Sequence, residues 1–260
     1  MKKLSSLLLA GLLPLLSVNA LAAPNDLEAI KSAGEIRIGT EGTYAPFSYH
    51  DASNKLVGFD VDIGRAIAAK LGVKANFVEG KWDGLIAGLN ANRYDVVINQ
   101  VGITAERREK YDFSDPYISS EAVLVVASDN KVITTFADLD GKRSAETLTS
   151  NFSKLAERYG AEVVPVQGFN QAISLLTSGR VDATINDYLS YLDFKKQQPA
   201  AKVKVVAHDD GSDFSNSGVL MRKGQTALRE AINQALKDIK ADGTYKTISE
   251  RYFGKDLTAE

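Results

Sequence analysis

The sequence predicts an α/β protein built as two similar lobes, each a mostly parallel sheet flanked by helices. Two observations carry that expectation. The first is a helix–turn–strand unit within residues 82–107. Trp82, Ile86 and Leu89 are spaced by four and three, so they share one helical face. Residues 94–98 are apolar and β-branched, the pattern of a short buried strand. The strand runs into Asn99-Gln100-Val101-Gly102, ahead of a polar loop carrying Thr104, Glu106 and Arg107. Ligands of open α/β sheets bind beyond the carboxyl ends of the strands. Polar groups at this strand end are therefore candidate site residues. The second observation is repetition. Phe169, Ile173, Leu176, Arg180, Asp182, Ile185 and Asn186 match Trp82, Ile86, Leu89, Arg93, Asp95, Ile98 and Asn99, each pair 87 positions apart. Any helix–turn–strand unit needs some of these positions. The stronger reading is two related lobes offering strand ends to a common cleft.

The elements then follow in order. Residues 1–22 form a targeting leader: Lys2 and Lys3, a Leu-rich core over 4–16, and the small-x-small signal Ala20-Leu21-Ala22. Its apolar run is short and holds Pro14, which suits a cleaved leader better than a permanent span. The remaining chain is expected to be exported and soluble. Residues 25–33 read as a helix stopped by Gly34, 35–39 as a strand, and 40–49 as a loop with Glu41, Tyr44, Pro46 and Phe47. A helix over 60–71 with its stop at Gly72 precedes a strand over 73–78. Beyond Arg107 a loop continues to Tyr117, and an apolar run over 122–127 leads away. A second series has strands over 142–145 and 162–166, a helix between them ending at Gly160, and a helix from 187 to about 196. A strand over 203–207, a short apolar stretch over 218–222 and helices over 226–241 and 244–253 complete the chain. Such alternation implies βαβ units.

Composition narrows the function. The chain has 260 residues, 44% hydrophobic and 25% charged, enough for one large domain or two lobes. The absence of cysteine excludes a disulfide, a thiolate metal site, a Cys nucleophile and a Cys-borne lipid anchor. Two separated histidines offer little to a His-based metal site or triad. The net charge of −2 leaves no nucleic-acid footprint. Without Lys2 and Lys3, 29 of the 31 basic residues remain against 33 acidic ones, a net charge of −4. No cofactor is expected.

Four motifs carry a resemblance. Gly58-Phe59-Asp60-Val61-Asp62, Gly102-Ile103-Thr104-Ala105-Glu106-Arg107, Phe113-Ser114-Asp115-Pro116-Tyr117 and Gly243-Thr244-Tyr245 with Tyr252-Phe253-Gly254 resemble the polar amino-acid family of periplasmic solute-binding proteins. These are the receptors of amino-acid ABC importers. Asn99–Gly102 and the Thr149-Ser150-Asn151 loop look like the cystine-binding branch. The resemblance implies the two-lobed periplasmic-binding-protein fold with two hinge strands. Lobe 1 would hold 23–119 and 218–260, lobe 2 would hold 120–217, and the chain would cross near 119–122 and 214–217. It also implies a monomer, membrane permease subunits as partners, and closure of both lobes on a free amino acid, L-cystine or another polar or basic one.

The same resemblance assigns the site. A carboxylate in a closed cleft needs bidentate donors, and Arg supplies them in a fixed fork. The family similarity places that Arg at Arg107; a surface ion pair with Glu106 or Glu109 is the alternative. Asp187 would receive the ligand's ammonium, or would merely cap the helix that it precedes. Tyr44 and Trp82 resemble the family's aromatic walls, or are core. Asn99 and Gly102 would offer backbone groups. Thr149, Ser150 and Asn151 open a helix whose N–H groups suit an anion, or only cap it. Glu41 sits where the family reads the far end of the ligand, or is a solvated loop acid. A dehydratase acting on a prephenate-like ring shares this architecture, and Glu41 would be its acid. An enzyme is not expected.

Overall fold

The computed structural model describes residues 26–209, 211 and 216–258. The expected leader at 1–22 lies outside the described residues, as do 214 and 215 of the expected return crossing.

The chain begins with α1 (Asp26–Ala33) and β1 (Glu35–Thr40). A small antiparallel sheet follows: β2 (Thr43–Tyr44), β3 (Ser48–His50) and β4 (Leu56–Val57). Next come α2 (Phe59–Leu71), β5 (Lys74–Glu79), α3 (Trp82–Asn90) and β6 (Val96–Val97). Helix α2 has Asp60 and Asp62 in its first turn and Lys70 in its last, which suits the helix dipole. Gly72 ends it in the left-handed region, φ 75°, where a side chain would be strained. The chain continues through α4 (Ala105–Lys110), β7 (Tyr111–Phe113), β8 (Ile118–Ser119) and β9 (Ala122–Ala127).

A 3-10 turn at Phe136–Leu139 leads to β10 (Arg143–Glu146), α5 (Asn151–Arg158), β11 (Glu162–Pro165) and α6 (Phe169–Thr177). Then come β12 (Thr184–Asp187), α7 (Tyr188–Gln197), β13 (Val203–Asp209), β14 (Asn216–Ser217), β15 (Leu220–Arg222), α8 (Thr226–Ala241) and α9 (Thr244–Phe253).

Two bodies of sheet result. The first has the order β5-β1-β6-β15-β7. Its β1–β5 and β1–β6 pairs are parallel, as helical crossovers require. Strand β15 returns from the other body and runs antiparallel to both β6 and β7. In the second body β10 and β11 are parallel, while β12 and β13 flank β9 antiparallel. The sheets are thus mixed: the parallel pairs come from the βαβ units, and the antiparallel ones involve strands next to the crossings. Strands β8 and β14 pair antiparallel, Ser119 opposite Asn216, and lie side by side where the chain passes between the bodies.

Each sheet is covered on both faces. Phe59, Ile63, Ile67, Leu228, Ile232 and Tyr245 pack under one face of the first sheet. Trp82, Leu85, Leu89, Tyr94 and Val97 pack on the other. Strand β9 is buried along nearly its whole length, with apolar clusters on both sides.

The repeat has a structural counterpart. Asp95 accepts hydrogen bonds from the Arg37 backbone N–H at 2.8 Å and from its guanidinium at 2.6 Å. Asp182 makes the same pair of bonds with Arg143, both at 2.9 Å. Each carboxylate ties the strand it precedes to the neighbouring parallel strand.

Two stretches read as loops are ordered. The 40–49 loop contains β2 and β3, strands too short to show alternation. The stretch after Gly102 contains α4 and β7. Thr104 caps α4, its Oγ1 accepting the Arg107 N–H at 3.1 Å. That helix buries no residue, so it lacks the apolar stripe by which helices are read.

Candidate functional site

The carboxyl ends of β1, β6, β10 and β12 converge on one cleft between the two sheet bodies. It encloses about 630 Å³, open solvent at its mouth included. Glu41, Tyr44, Trp82, Asn99 and Gly102 line it from one side, and Ser150, Asn151 and Asp187 from the other. Two expected site residues stand off this lining. Thr149 is at the rim, where its N–H and hydroxyl both bond Asp83 Oδ1, at 3.0 and 2.9 Å. Arg107 lies behind the wall, in an adjoining hollow with Asn151 and Lys154.

The first side is organised by Asn99. Its Oδ1 accepts from the Thr40 hydroxyl at 2.9 Å, the Glu41 N–H at 2.8 Å and the Ser48 hydroxyl at 3.1 Å. Its Nδ2 donates to Glu41 Oε2 at 2.7 Å. The Asn99 side chain is therefore committed to the wall, and what it presents to the cleft is Glu41. Burial pushes the Glu41 carboxyl up to about 7, against the opposing pull of the Asn99 bond.

Gln100, within the polar strand end but given no role of its own by the sequence, turns that end with φ 50°. Asp60 holds it: its two oxygens accept from Gln100 N and Nε2, both at 2.8 Å. The Asp60 carboxyl is buried and likewise raised to about 7 by desolvation. This gives a physical role to the Asp of the Gly58-Phe59-Asp60 motif.

The Arg107 guanidinium sits 5.5 Å from the Trp82 ring centre, within cation–π range. Its Nη1 donates to the Gly102 carbonyl at 3.0 Å. Burial pulls it down to about 10. Glu106, the acid beside it in sequence, bonds Lys154 instead. Among the described residues no carboxylate comes within ion-pair distance of Arg107.

On the second side Asp187 does two things. Its Oδ1 caps α7, accepting from Leu189 N at 2.8 Å and Ser190 N at 3.2 Å. It also lines the cleft, and burial raises its carboxyl to about 6. Ser150 caps α5, its Oγ accepting from Ser153 N at 3.0 Å.

Phe169 and Asn186 also line the cleft. Neither was singled out as a site residue, although the 87-residue repeat pairs them with Trp82 and Asn99. The Asn186 Oδ1 accepts from the Tyr44 hydroxyl and from Asp187 N, both at 2.8 Å.

Several bonds cross the cleft directly. Tyr44 donates to Asn186, and Ser190 Oγ donates to the Ala45 carbonyl at 2.9 Å. Asp83 binds Thr149, and Glu106 pairs with Lys154. The two bodies are in contact at both edges of the site, so the cleft is closed. Among the described residues no cluster of three or more His, Asp or Glu is placed to hold a metal ion.

Two α/β lobes joined by paired crossing strands, with a guanidinium and carboxylates around a closable cleft, define a receptor for a small charged solute. The chain belongs to the bacterial extracellular solute-binding proteins, family 3, whose pattern it matches over residues 36–255. It is 46% identical over 239 residues to the L-cystine-binding protein TcyA of Bacillus subtilis, covering 91% of this chain and 88% of that protein. The unliganded, open L-cystine receptor of Neisseria gonorrhoeae is 44% identical, covers 90% and 99% of the two chains, and superposes with a TM-score of 0.61. An ancestral arginine-binding protein bound to arginine is 42% identical, covers 85% and 99%, and gives a TM-score of 0.79.

Proposed function

We propose that this chain is the periplasmic receptor of an amino-acid ABC importer and that its ligand is L-cystine. The observation that carries the reading is a complementary pair across the closed cleft. A partly buried guanidinium, without a carboxylate partner among the described residues, adjoins one wall, and a buried carboxylate lines the other. A free amino acid carries the matching carboxylate and ammonium a few bonds apart. Arg107 takes the carboxylate, with the start of α5 at Ser150 and Asn151 beside it. Asp187 takes the ammonium. The Asn99–Gly102 strand end supplies backbone groups, and Tyr44 and Trp82 flank the stem. One ligand then contacts both lobes and stabilises the closed state.

Cystine is favoured by the ligand named for TcyA and for the gonococcal receptor, and by Glu41. That second carboxylate, which lines the same cleft, suits a second ammonium. Arginine and lysine also carry a distal cation, and the likeness to an arginine-bound protein supports them as the alternative ligands. Lobe 1 in this reading comprises 23–119 and 218–260, and lobe 2 comprises 120–217, divided at β8 and β14. Thr149 acts at the rim rather than on the ligand. The leader at 1–22 exports the chain, which then works as a monomer and delivers its ligand to membrane permease subunits.

The test is a thermal-shift screen of the mature protein against the amino acids and cystine, because a ligand of the native state stabilises it by mass action. Cystine is expected to give the largest shift. A larger one with arginine would replace the ligand and keep the receptor. No shift with any amino acid would remove the receptor reading, and turnover of prephenate would replace it with the dehydratase.

A further inference from the structure

The cleft has a neighbour. A second hollow of about 480 Å³, open solvent at its mouth included, lies between the lobes, bounded by Ala45 and Ser190 and, on α7, by Asp193 and Gln197. Thr43, Tyr44 and Phe169 belong to the linings of both spaces. The partition between them is therefore two aromatic side chains and a threonine.

The two aromatics are held differently. Tyr44 is pinned by its hydroxyl to Asn186 at 2.8 Å. Phe169 has no polar anchor. It stands edge-on to Phe194, ring centres 5.8 Å apart at 78°, and is only 7% exposed. The 87-residue repeat pairs it with Trp82, and both open a helix that points its first residue at the cleft.

Beyond Phe169 the second hollow offers one charge. Asp193 is half-buried, and among the described residues its Oδ2 accepts from the neutral Gln197 amide alone, at 2.9 Å. Burial raises its carboxyl above the ordinary value. Among the described residues no basic group lies within ion-pair distance of it. A half-buried carboxylate with apolar rings on one side suits a cation carried on an apolar stem.

We propose that Phe169 sets the length of ligand that the protein accepts, by closing the cleft off from a second chamber in which Asp193 would hold the far cation of a longer diamino acid. The inference rests on the amino-acid receptor reading and extends it to specificity. Phe169 excludes long ligands by occupying space, and Asp193 adds affinity only once that space is freed.

The experiment compares L-cystine with L-homocystine, which is longer by one methylene on each side of the disulfide, by calorimetry on four mature proteins: wild type, Phe169→Ala, Asp193→Asn and the double variant. Wild type should prefer cystine by about tenfold or more, the usual discrimination against an extra methylene. Phe169→Ala should weaken cystine and tighten homocystine by about tenfold. Asp193→Asn alone should leave cystine unchanged, and in the double variant it should cancel the gain for homocystine. A residue that only packs the lobe would lower both affinities together, so that outcome overturns the proposal. Retention of the gain after Asp193→Asn overturns it as well. If Phe169→Ala does not fold, Phe169→Leu is read the same way with a smaller gain. If wild type binds arginine rather than cystine, arginine and homoarginine replace the two probes. If it binds no amino acid, the receptor reading fails first and this inference with it.

Discussion

Asp95 and Asp182 stand 87 positions apart and make the same clamp, each gripping both the backbone and the guanidinium of an arginine on the adjacent parallel strand. The clamps differ in exposure. The Asp95 side chain is 11% exposed and that of Asp182 is 35%. Charged hydrogen bonds of the more buried kind contribute roughly 2 kcal/mol. Asp95→Asn is expected to lower the melting temperature more than Asp182→Asn, measured by calorimetry on the ligand-free protein. Equal losses would mean that burial does not govern the clamp.

Arg107→Ala should abolish amino-acid binding while the protein stays folded. Breaking a charge pair enclosed by the closed cleft costs about 3–5 kcal/mol, or roughly two to four orders of magnitude in affinity. Titration calorimetry with circular dichroism on the same sample checks both halves. Binding within tenfold of wild type would move the carboxylate site elsewhere.

Ligand binding should release protons between pH 5 and 8. Burial holds Glu41 at about 7 and Asp187 at about 6, so both are partly protonated there without ligand. A bound ammonium favours the charged carboxylate and lowers both values. Protons therefore compete with the ligand. Affinity rises as pH climbs through this window and levels off above it. Calorimetry in two buffers of different ionisation heat reads the release directly, and Glu41→Gln should remove its upper part. Identical heats in both buffers would contradict the pairing.

Tyr44→Phe removes a bond that exists only while the cleft is closed. A net loss of about 1 kcal/mol corresponds to about fivefold weaker apparent affinity. The factor should be similar for every ligand, because the penalty falls on closure. Scattering of the ligand-free variant should give a larger radius of gyration than wild type. A ligand-dependent factor with unchanged scattering would assign Tyr44 to ligand contact alone.

Glu146→Gln tests a buried acid outside the cleft. Its Oε1 accepts from Ser144 Oγ and Ile185 N, both at 2.7 Å, and burial pushes its carboxyl up to about 8. The folded state holds its proton where the unfolded state has lost it. That contribution to stability is complete below the unfolded value near 4 and is lost as pH rises through about 8. Gln does not titrate, so the variant should gain on wild type steadily from pH 4 to pH 8 in chemical denaturation. A constant difference would show that Glu146 does not titrate with folding.

The lobed architecture was legible in the sequence because it repeats, and because βαβ alternation needs apolar runs of readable length. Helices α8 and α9 were legible to the residue. The charged helix α4 and the small sheet β2–β4 were not: one buries nothing, and the others are two or three residues long. At the site, Arg107 and Asp187 could be assigned by family resemblance but not from spacing alone, since both also fit plain structural roles. In Asp187 the structure retains the cap and adds the cleft. Thr149 was read as ligand contact because it opens a helix, and its bond to Asp83 depends on a residue 66 positions away. Phe169 and Asn186 lie within the repeat, whose spacing signals the fold and also, through their partners Trp82 and Asn99, the cleft.

Strand β15 has a temporal consequence. It fills the place between β6 and β7, yet more than a hundred residues of chain separate it from β7. During synthesis the sheet that contains β1 therefore waits with an open slot until residues 220–222 emerge. Its apolar floor stays bare until α8 follows. The intervening segment can meanwhile pair β9 with β12 and β13 without any later residue. The last part of the molecule to become complete is thus the one that contains its first strand. Contacts of such long sequence separation slow folding, and here they leave the nascent chain unfinished until its final turns are made.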